Sequence, residues 1–324
     1  MTIVALTCPM CGGQIKHRQR VCDFCGSSLI VVSTQGITSQ SLKIDTINQA
    51  MEKFRSILKE DKTNVNANYN LGIAYLNQGL LEPAIKHLRI ATKNAPEIPE
   101  IHYNLAIALF NDGEGLTTQE LINEFNKELE YAITLDTSFN EAIAFKHYFL
   151  GFKLQTVDWA EAAKEYKKAT VLCPDVPVFY NNLGFALINS KQYTDAEIAL
   201  LKSIKLDPNQ VYAFSNLCHC YYLTNRFKEG LTTGEKAISN IKTSTNIQIA
   251  SYSYNNYSLC LYKSGQKEKA KENIKKAIAI WPQNQICYDN LKVIDMRKYT
   301  VKDFVLTVVI SAVLFTLLCL IFIR

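Results

Sequence analysis

The chain has 324 residues, of which 48% are hydrophobic and 20% charged, with a net charge of +5. That is ordinary for folded protein, and the charge neither demands a nucleic-acid partner nor rules one out. Ten cysteines would suit a secreted disulfide framework, but four crowd into the first 25 residues as tight pairs and the rest scatter over helical positions. Thr2–Leu6 is too short for the apolar core of a secretory leader, so the reading is a reducing compartment.

The N-terminus carries Cys8-Pro9-Met10-Cys11-Gly12 and, after a ten-residue spacer, Cys22-Asp23-Phe24-Cys25-Gly26. In each unit the backbone turns back so that two thiolates reach one cation, and the glycine tolerates the left-handed turn. Cys8, Cys11, Cys22 and Cys25 thus supply the closed tetrahedral set of one structural zinc. Few apolar residues surround them, so metal binding must provide most of the folding energy, roughly 10–16 kcal/mol in small zinc modules. Iron bound as in rubredoxin uses the same ligands and stays open. A redox pair lacks the βαβ context, and four sulfurs leave no open position for catalysis. Residues 1–30 resemble a short zinc ribbon. Lys16, His17, Arg18 and Arg20 lie between the pairs and read as a solvated tip, with a nucleic-acid contact as the weaker alternative. Residues 31–43, rich in Ser, Thr and Gln, read as a linker.

A helix over 44–64 comes next, with Ala50, Phe54 and Ile57 in register as a capping half-repeat. Similar segments then recur at intervals near 34 residues. The first carries Leu71-Gly72, Tyr75, Gly79, Ala84, Leu88, Ala91 and Pro96, and the fourth Leu183-Gly184, Leu187, Ala196, Leu200, Ser203 and Pro208. The second has Leu105-Ala106 and then about seven extra residues after Gly113 before Ala132. The third has Gly151, Ala162, Tyr166 and Ala169, with a turn one residue short. The fifth has Cys218, Gly230, Gly234 and Ala237; a six-residue insertion separates it from the sixth, with Ser258, Gly265, Ala270, Ile274 and Ala277. Small residues stand where two helices cross, large ones fill between pairs, and proline ends the second helix.

This pattern resembles the tetratricopeptide repeat. The resemblance implies an all-α superhelical solenoid of antiparallel helix pairs over 65–282, about six repeats, with a capping and juxtamembrane helix over 283–303. It also implies that the first helices line a concave groove for a peptide. Two residues before each small position stand Asn70, Asn104, Asn182, Asn216 and Asn256, interrupted only by Phe149. An amide offers both donor and acceptor, so such a row can satisfy a peptide backbone whatever its side chains; it resembles the asparagine ladder of the O-GlcNAc transferase repeats. Tyr69 and Tyr103 flank the first two. A chaperone-type carboxylate clamp is not expected, because its places hold Tyr69, Ile73, Asn181 and Phe185, with Tyr252 and Asn256 in the sixth repeat. The histidines stand alone in sequence, with no carboxylate or cysteine at metal spacing, and no Ser-His-Asp series or phosphate loop appears. No enzyme is expected. Lys263–Lys276 reads as a solvated face, with anionic lipid as its second reading.

Residues 304–323 are free of charge, and fifteen of the twenty are Leu, Ile, Val or Phe. At about 0.3–0.6 kcal/mol each these favour insertion by about 5–9 kcal/mol, and the length spans a core about 30 Å thick. Lys292, Arg297, Lys298 and Lys302 precede the stretch and Arg324 alone follows. The positive-inside rule then leaves the rest of the chain in the cytoplasm, tail-anchored by a single transmembrane helix. The whole reads as a membrane-anchored scaffold that binds a protein partner through the repeats, with a structural zinc ribbon as a second docking surface. A tethered nucleic-acid or ribosome-associated factor is the alternative.

Overall fold

The computed structural model describes residues 44–111, 118–242 and 245–295. The cysteine quartet, the linker and the apolar stretch 304–323 lie outside them. All secondary structure among the described residues is α-helical. The helices are α1 (Ile44–Glu60), α2 (Val65–Asn77), α3 (Leu81–Asn94), α4 (Pro99–Asn111), α5 (Gln119–Leu135), α6 (Asn140–Leu154) and α7 (Trp159–Leu172). They continue as α8 (Pro177–Asn189), α9 (Tyr193–Leu206), α10 (Val211–Leu223), α11 (Phe227–Ser239), α12 (Ile247–Lys263), α13 (Lys267–Ile280) and α14 (Gln285–Asp295). Two compact units divide at Cys220 and Tyr221, inside α10.

Local chemistry sets the helix ends. Asn64 and Asp158 cap α2 and α7 by accepting from backbone N–H groups of the first turn, and Pro177 opens α8 where a missing N–H costs nothing. Between repeats, Asp61, Asp136 and Asp207 each accept from the amide two residues on, at 2.9, 3.0 and 3.0 Å, a side-chain turn that aims the next helix. Within repeats, the turn from first to second helix passes through one left-handed residue: Gly79, Lys191, Asn225 or Gly265, with φ of 72°, 63°, 59° and 82°. Glycine and asparagine suit that conformation; lysine enters it at a cost.

In the first unit α1 lays Met51 and Phe54 on Ala67, Leu71 and Ala74 of α2. The paired helices approach most closely at Gly72 and Gly184, where an added Cβ would stand 2.6 Å from Leu88 Cγ and 2.5 Å from Leu200 Cγ. Around the second and third repeats the core is aromatic, with Phe125 against Phe149 at 4.4 Å between ring centres and Phe110 edge-on to Phe145 at 5.4 Å. Phe149, the break in the asparagine row, is thereby committed to packing. In the second unit, Cys287 and Ile294 of α14 close over Leu261, Ala270, Ile274 and Ala277. Trp281 meets Tyr252 edge-on and, in the first unit, Trp159 meets Phe185, so both tryptophans pack. Cys173, Cys218, Cys220, Cys260 and Cys287 are buried thiols.

Candidate functional site

The asparagine row runs along the first helices of the pairs. In the first unit it is built into the contact between consecutive repeats. Asn104 Nδ2 donates to the Tyr69 hydroxyl (3.1 Å) and to the Glu100 carbonyl (2.8 Å). Asn182 Nδ2 donates to the Val178 carbonyl (3.0 Å) and reaches the Tyr148 hydroxyl at 3.4 Å. Asn216 Nδ2 donates to Asn181 Oδ1 at 3.0 Å. The same link recurs in the second unit, where Asn290 donates to Asn255 Oδ1 (2.8 Å) and Asn255 to Asn256 Oδ1 (3.2 Å). Each cross-repeat link joins residues 34 or 35 apart. An amide in one repeat thus binds the residue just before the equivalent amide of the repeat preceding it.

This geometry narrows what the row offers. Both amide hydrogens of Asn182 are used inside the protein and one of those of Asn216 is, while no donor among the described residues reaches either Oδ1, so the row offers a ligand mainly acceptors. Asn70, Asn104, Asn256, Tyr69 and Tyr103 are buried, whereas Asn182 and Asn216 are half-exposed. Asn104 Oδ1 is buried with no hydrogen-bond donor from the protein. Tyr103 packs edge-on against Phe139 and Phe145. Burial raises the Tyr69 and Tyr148 phenol pKa values well above 10.0, so both stay neutral. Asn181, which the sequence marks only as a clamp position, and Asn255, Asn290 and Tyr148, which it does not mark, belong to the linkage. A 34-residue step from Asn182 and Asn256 points to Tyr148 and Asn290.

Three of the histidines are not alone. In the first unit, His87 Nδ1 donates to Asn68 Oδ1 (2.9 Å), His102 Nδ1 meets Glu128, and His147 Nδ1 meets Glu165 at 2.7 Å. All three couples join a first helix to its second helix at the same place in repeats one, two and three. Asn68 gives its own amide hydrogens to the Lys62 and Asn64 carbonyls, which leaves its oxygen to accept from His87. The His102 couple is the most buried, and its Nε2 meets the Pro96 carbonyl at 2.9 Å. Two acceptors call for a proton on both ring nitrogens. Burial alone would lower the His102 pKa, but the Glu128 and Pro96 hydrogen bonds outweigh it, and the value lies above the ordinary 6.5. Burial, with Lys86 and Arg55 nearby, lowers that of His87. Burial would raise the Glu165 pKa, yet hydrogen bonds from Lys168 and His147 pull it below 4.5. A cleft of about 410 Å³ beside that couple is lined by Lys164, Lys167, Lys168, Val171 and Leu172, away from the asparagine row.

No cluster of His, Cys, Asp or Glu able to hold a metal occurs among the described residues, and none of their helices is long and apolar enough to cross a membrane. Cys8, Cys11, Cys22 and Cys25 and the stretch 304–323 lie outside them.

Family models described as tetratricopeptide repeat match residues 45–108, 178–210 and 251–284. These helix pairs are tetratricopeptide repeats. Tetratricopeptide repeat protein 6 of Homo sapiens is 23% identical over 172 residues, 53% of this chain and 31% of that protein. Hsp70-Hsp90 organizing protein 3 of Arabidopsis thaliana is 22% identical over 258 residues, 80% of this chain and 44% of that protein. The chain therefore spans less than half the length of these tetratricopeptide relatives. Among solved structures, the Cut9-Hcn1 complex aligns with a TM-score of 0.61 at 14% identity, covering 78% of this chain and 48% of that one. Pseudomonas aeruginosa pilF aligns at 0.54 and 18%, covering 71% and 96%. At such identities they show the tetratricopeptide fold alone.

Proposed function

We propose that the protein is a non-catalytic, membrane-anchored adaptor that holds a polypeptide partner on the first helices of its tetratricopeptide repeats. One observation carries this reading: Asn182 and Asn216, half-exposed and one repeat apart, each donate through the amide inside the protein while no donor among the described residues reaches their oxygens. Two fixed acceptors suit backbone N–H groups of an extended chain and fix register without reading side chains. The named roles of the Hsp70-Hsp90 organizing relatives favour a protein ligand. The absence of cations at Tyr69, Ile73, Asn181 and Phe185 argues against a carboxylate clamp. The apolar stretch 304–323 supplies the anchor and leaves the repeats in the cytoplasm; the Cys8, Cys11, Cys22 and Cys25 set holds one structural zinc as a second docking surface.

The test is affinity purification of the full chain from gently solubilised membranes, beside an Asn182→Ala/Asn216→Ala variant. A protein that co-purifies with the natural chain and is lost from the variant supports the reading. Companions unchanged in the variant overturn it.

A further inference from the structure

The last described helix ends in a defined place. Asp295, at the end of α14, binds Lys271 Nζ at 2.7 Å through its carboxylate, and its carbonyl accepts from Lys267 Nζ at 3.5 Å. Both lysines lie in the first turns of α13, so the chain leaves α14 beside the turn that joins α12 to α13. Eight residues, 296–303, separate Asp295 from the apolar stretch that begins at Phe304. Even fully extended, that link reaches only about 30 Å. An anchor at Phe304 therefore confines the end of α14, and the α12–α13 turn beside it, to within roughly 30 Å of the bilayer surface.

That turn is cationic. Lys263 and Lys269 are exposed and make no ion pair among the described residues, and Lys267 stands between them. Further along, Lys271 pairs with Asp295, Lys276 with Glu272 and Lys292 with Asp289, while Lys275 is exposed and in no ion pair among the described residues. Glu268, with a side-chain accessibility of 86%, stands 4.0 Å from Lys271 and is the other acidic group on this end of α13. The connecting segment adds Arg297, Lys298 and Lys302 against Asp303. The end of the unit from which the chain departs thus carries Lys263, Lys267 and Lys269 within seven residues of sequence.

We propose that the α12–α13 turn rests on an anionic bilayer surface, with Lys263, Lys267 and Lys269 as its contacts. This rests on the membrane-anchor reading above and adds an orientation to it. The tether lets these lysines reach the headgroups, where each cation gains from the surface potential and loses that gain as salt rises.

The test compares the full chain in vesicles of phosphatidylcholine alone with vesicles rich in phosphatidylserine, reading amide hydrogen exchange across the turn with α7 as internal reference. Carbonate extraction of the same vesicles reports the anchor. Exchange at the turn is expected to slow about threefold or more in the anionic vesicles and to recover at high salt and in a Lys263→Glu/Lys269→Glu variant of unchanged circular dichroism. Equal exchange in both vesicles, with the protein resistant to extraction, overturns the contact and leaves the anchor standing. Extraction from both overturns the anchor and the contact with it.

Discussion

Repeats one to three and repeat four use one place between their paired helices in opposite ways. In the first three it holds Asn68–His87, His102–Glu128 and His147–Glu165, each joined side chain to side chain. In the fourth the same places hold Tyr180 and the buried Ala199, and no such bond is needed. The deeper packing does not follow this divide, because Gly72 in repeat one and Gly184 in repeat four meet a leucine with nearly the same closeness. Helix pairing is therefore set by the small residue and the large one across from it, a leucine in repeats one and four and Tyr166 in repeat three. The outer position is free to carry either apolar filler or a directional polar couple, and the couple brings a pH dependence that filler lacks.

The largest expected effect comes from breaking the most buried couple. His102→Ala leaves the Glu128 carboxylate buried without its main partner and should cost about 3 kcal/mol in urea unfolding. Tyr180→Ala, at the matching place in repeat four, strands no charge and should cost clearly less; equal losses would dissolve the distinction. The pH dependence sharpens it. The folded pKa of His102 lies above its ordinary value, so its contribution is complete below about pH 6.5 and is lost as pH rises through the folded value. The lowered value of His87 acts with the opposite sign, withdrawing stability as pH falls below its ordinary value. Stability of the His102→Gln variant, followed against pH, should therefore fall less on the alkaline side than that of the natural chain.

A smaller effect probes what the repeats share. Gly184→Ala places a methyl 2.5 Å from Leu200 Cγ and 3.3 Å from the Ala196 carbonyl. Overpacking costs about 1–3 kcal/mol, and better helix propensity returns up to about 1 kcal/mol. A net loss of about 1–2 kcal/mol in the unfolding midpoint is expected, and Gly72→Ala should match it. In the second unit Ser258 holds this place and donates to the Ala270 carbonyl at 2.8 Å. It turns a close approach into a hydrogen bond. Ser258→Ala should cost about 1 kcal/mol by the same measurement.

The repeat pattern was legible because it is periodic: Gly72, Gly184 and the leucines across from them recur with fixed offsets, and packing follows from those offsets. The histidine couples were hidden by the same arithmetic. Their partners stand 19, 26 and 18 residues apart, which is one regular separation lengthened by the insertion after Gly113 and shortened by the tight turn of repeat three. Aligning the second helices before looking for partners would have found them. The asparagine row was visible, but which of its atoms are spent depends on contacts a repeat length away. Asn181, Asn255 and Asn290 look like ordinary polar residues until the repeats are stacked. Tyr103 shows the same dependence on stacking, since a tyrosine on a first helix suggests a ligand contact and this one is 3% exposed against Phe139 and Phe145.

The smallest expected effect lies in the turn that both kinds of repeat use. Repeat one enters its second helix through Gly79 at φ 72°, with open space around the position, whereas repeat four does so through Lys191 at φ 63°. The left-handed conformation costs an L-residue about 1–2 kcal/mol, and glycine escapes that cost while adding about 0.4–1 kcal/mol of unfolded-chain entropy. Lys191→Gly should therefore stabilise by about 0.5 kcal/mol, and Gly79→Ala should destabilise by at least that much. Opposite signs in the two unfolding midpoints would show that repeats one and four differ here only in the residue and share the backbone. Equal signs would mean that the lysine side chain stabilises the turn in a way its backbone geometry does not reveal.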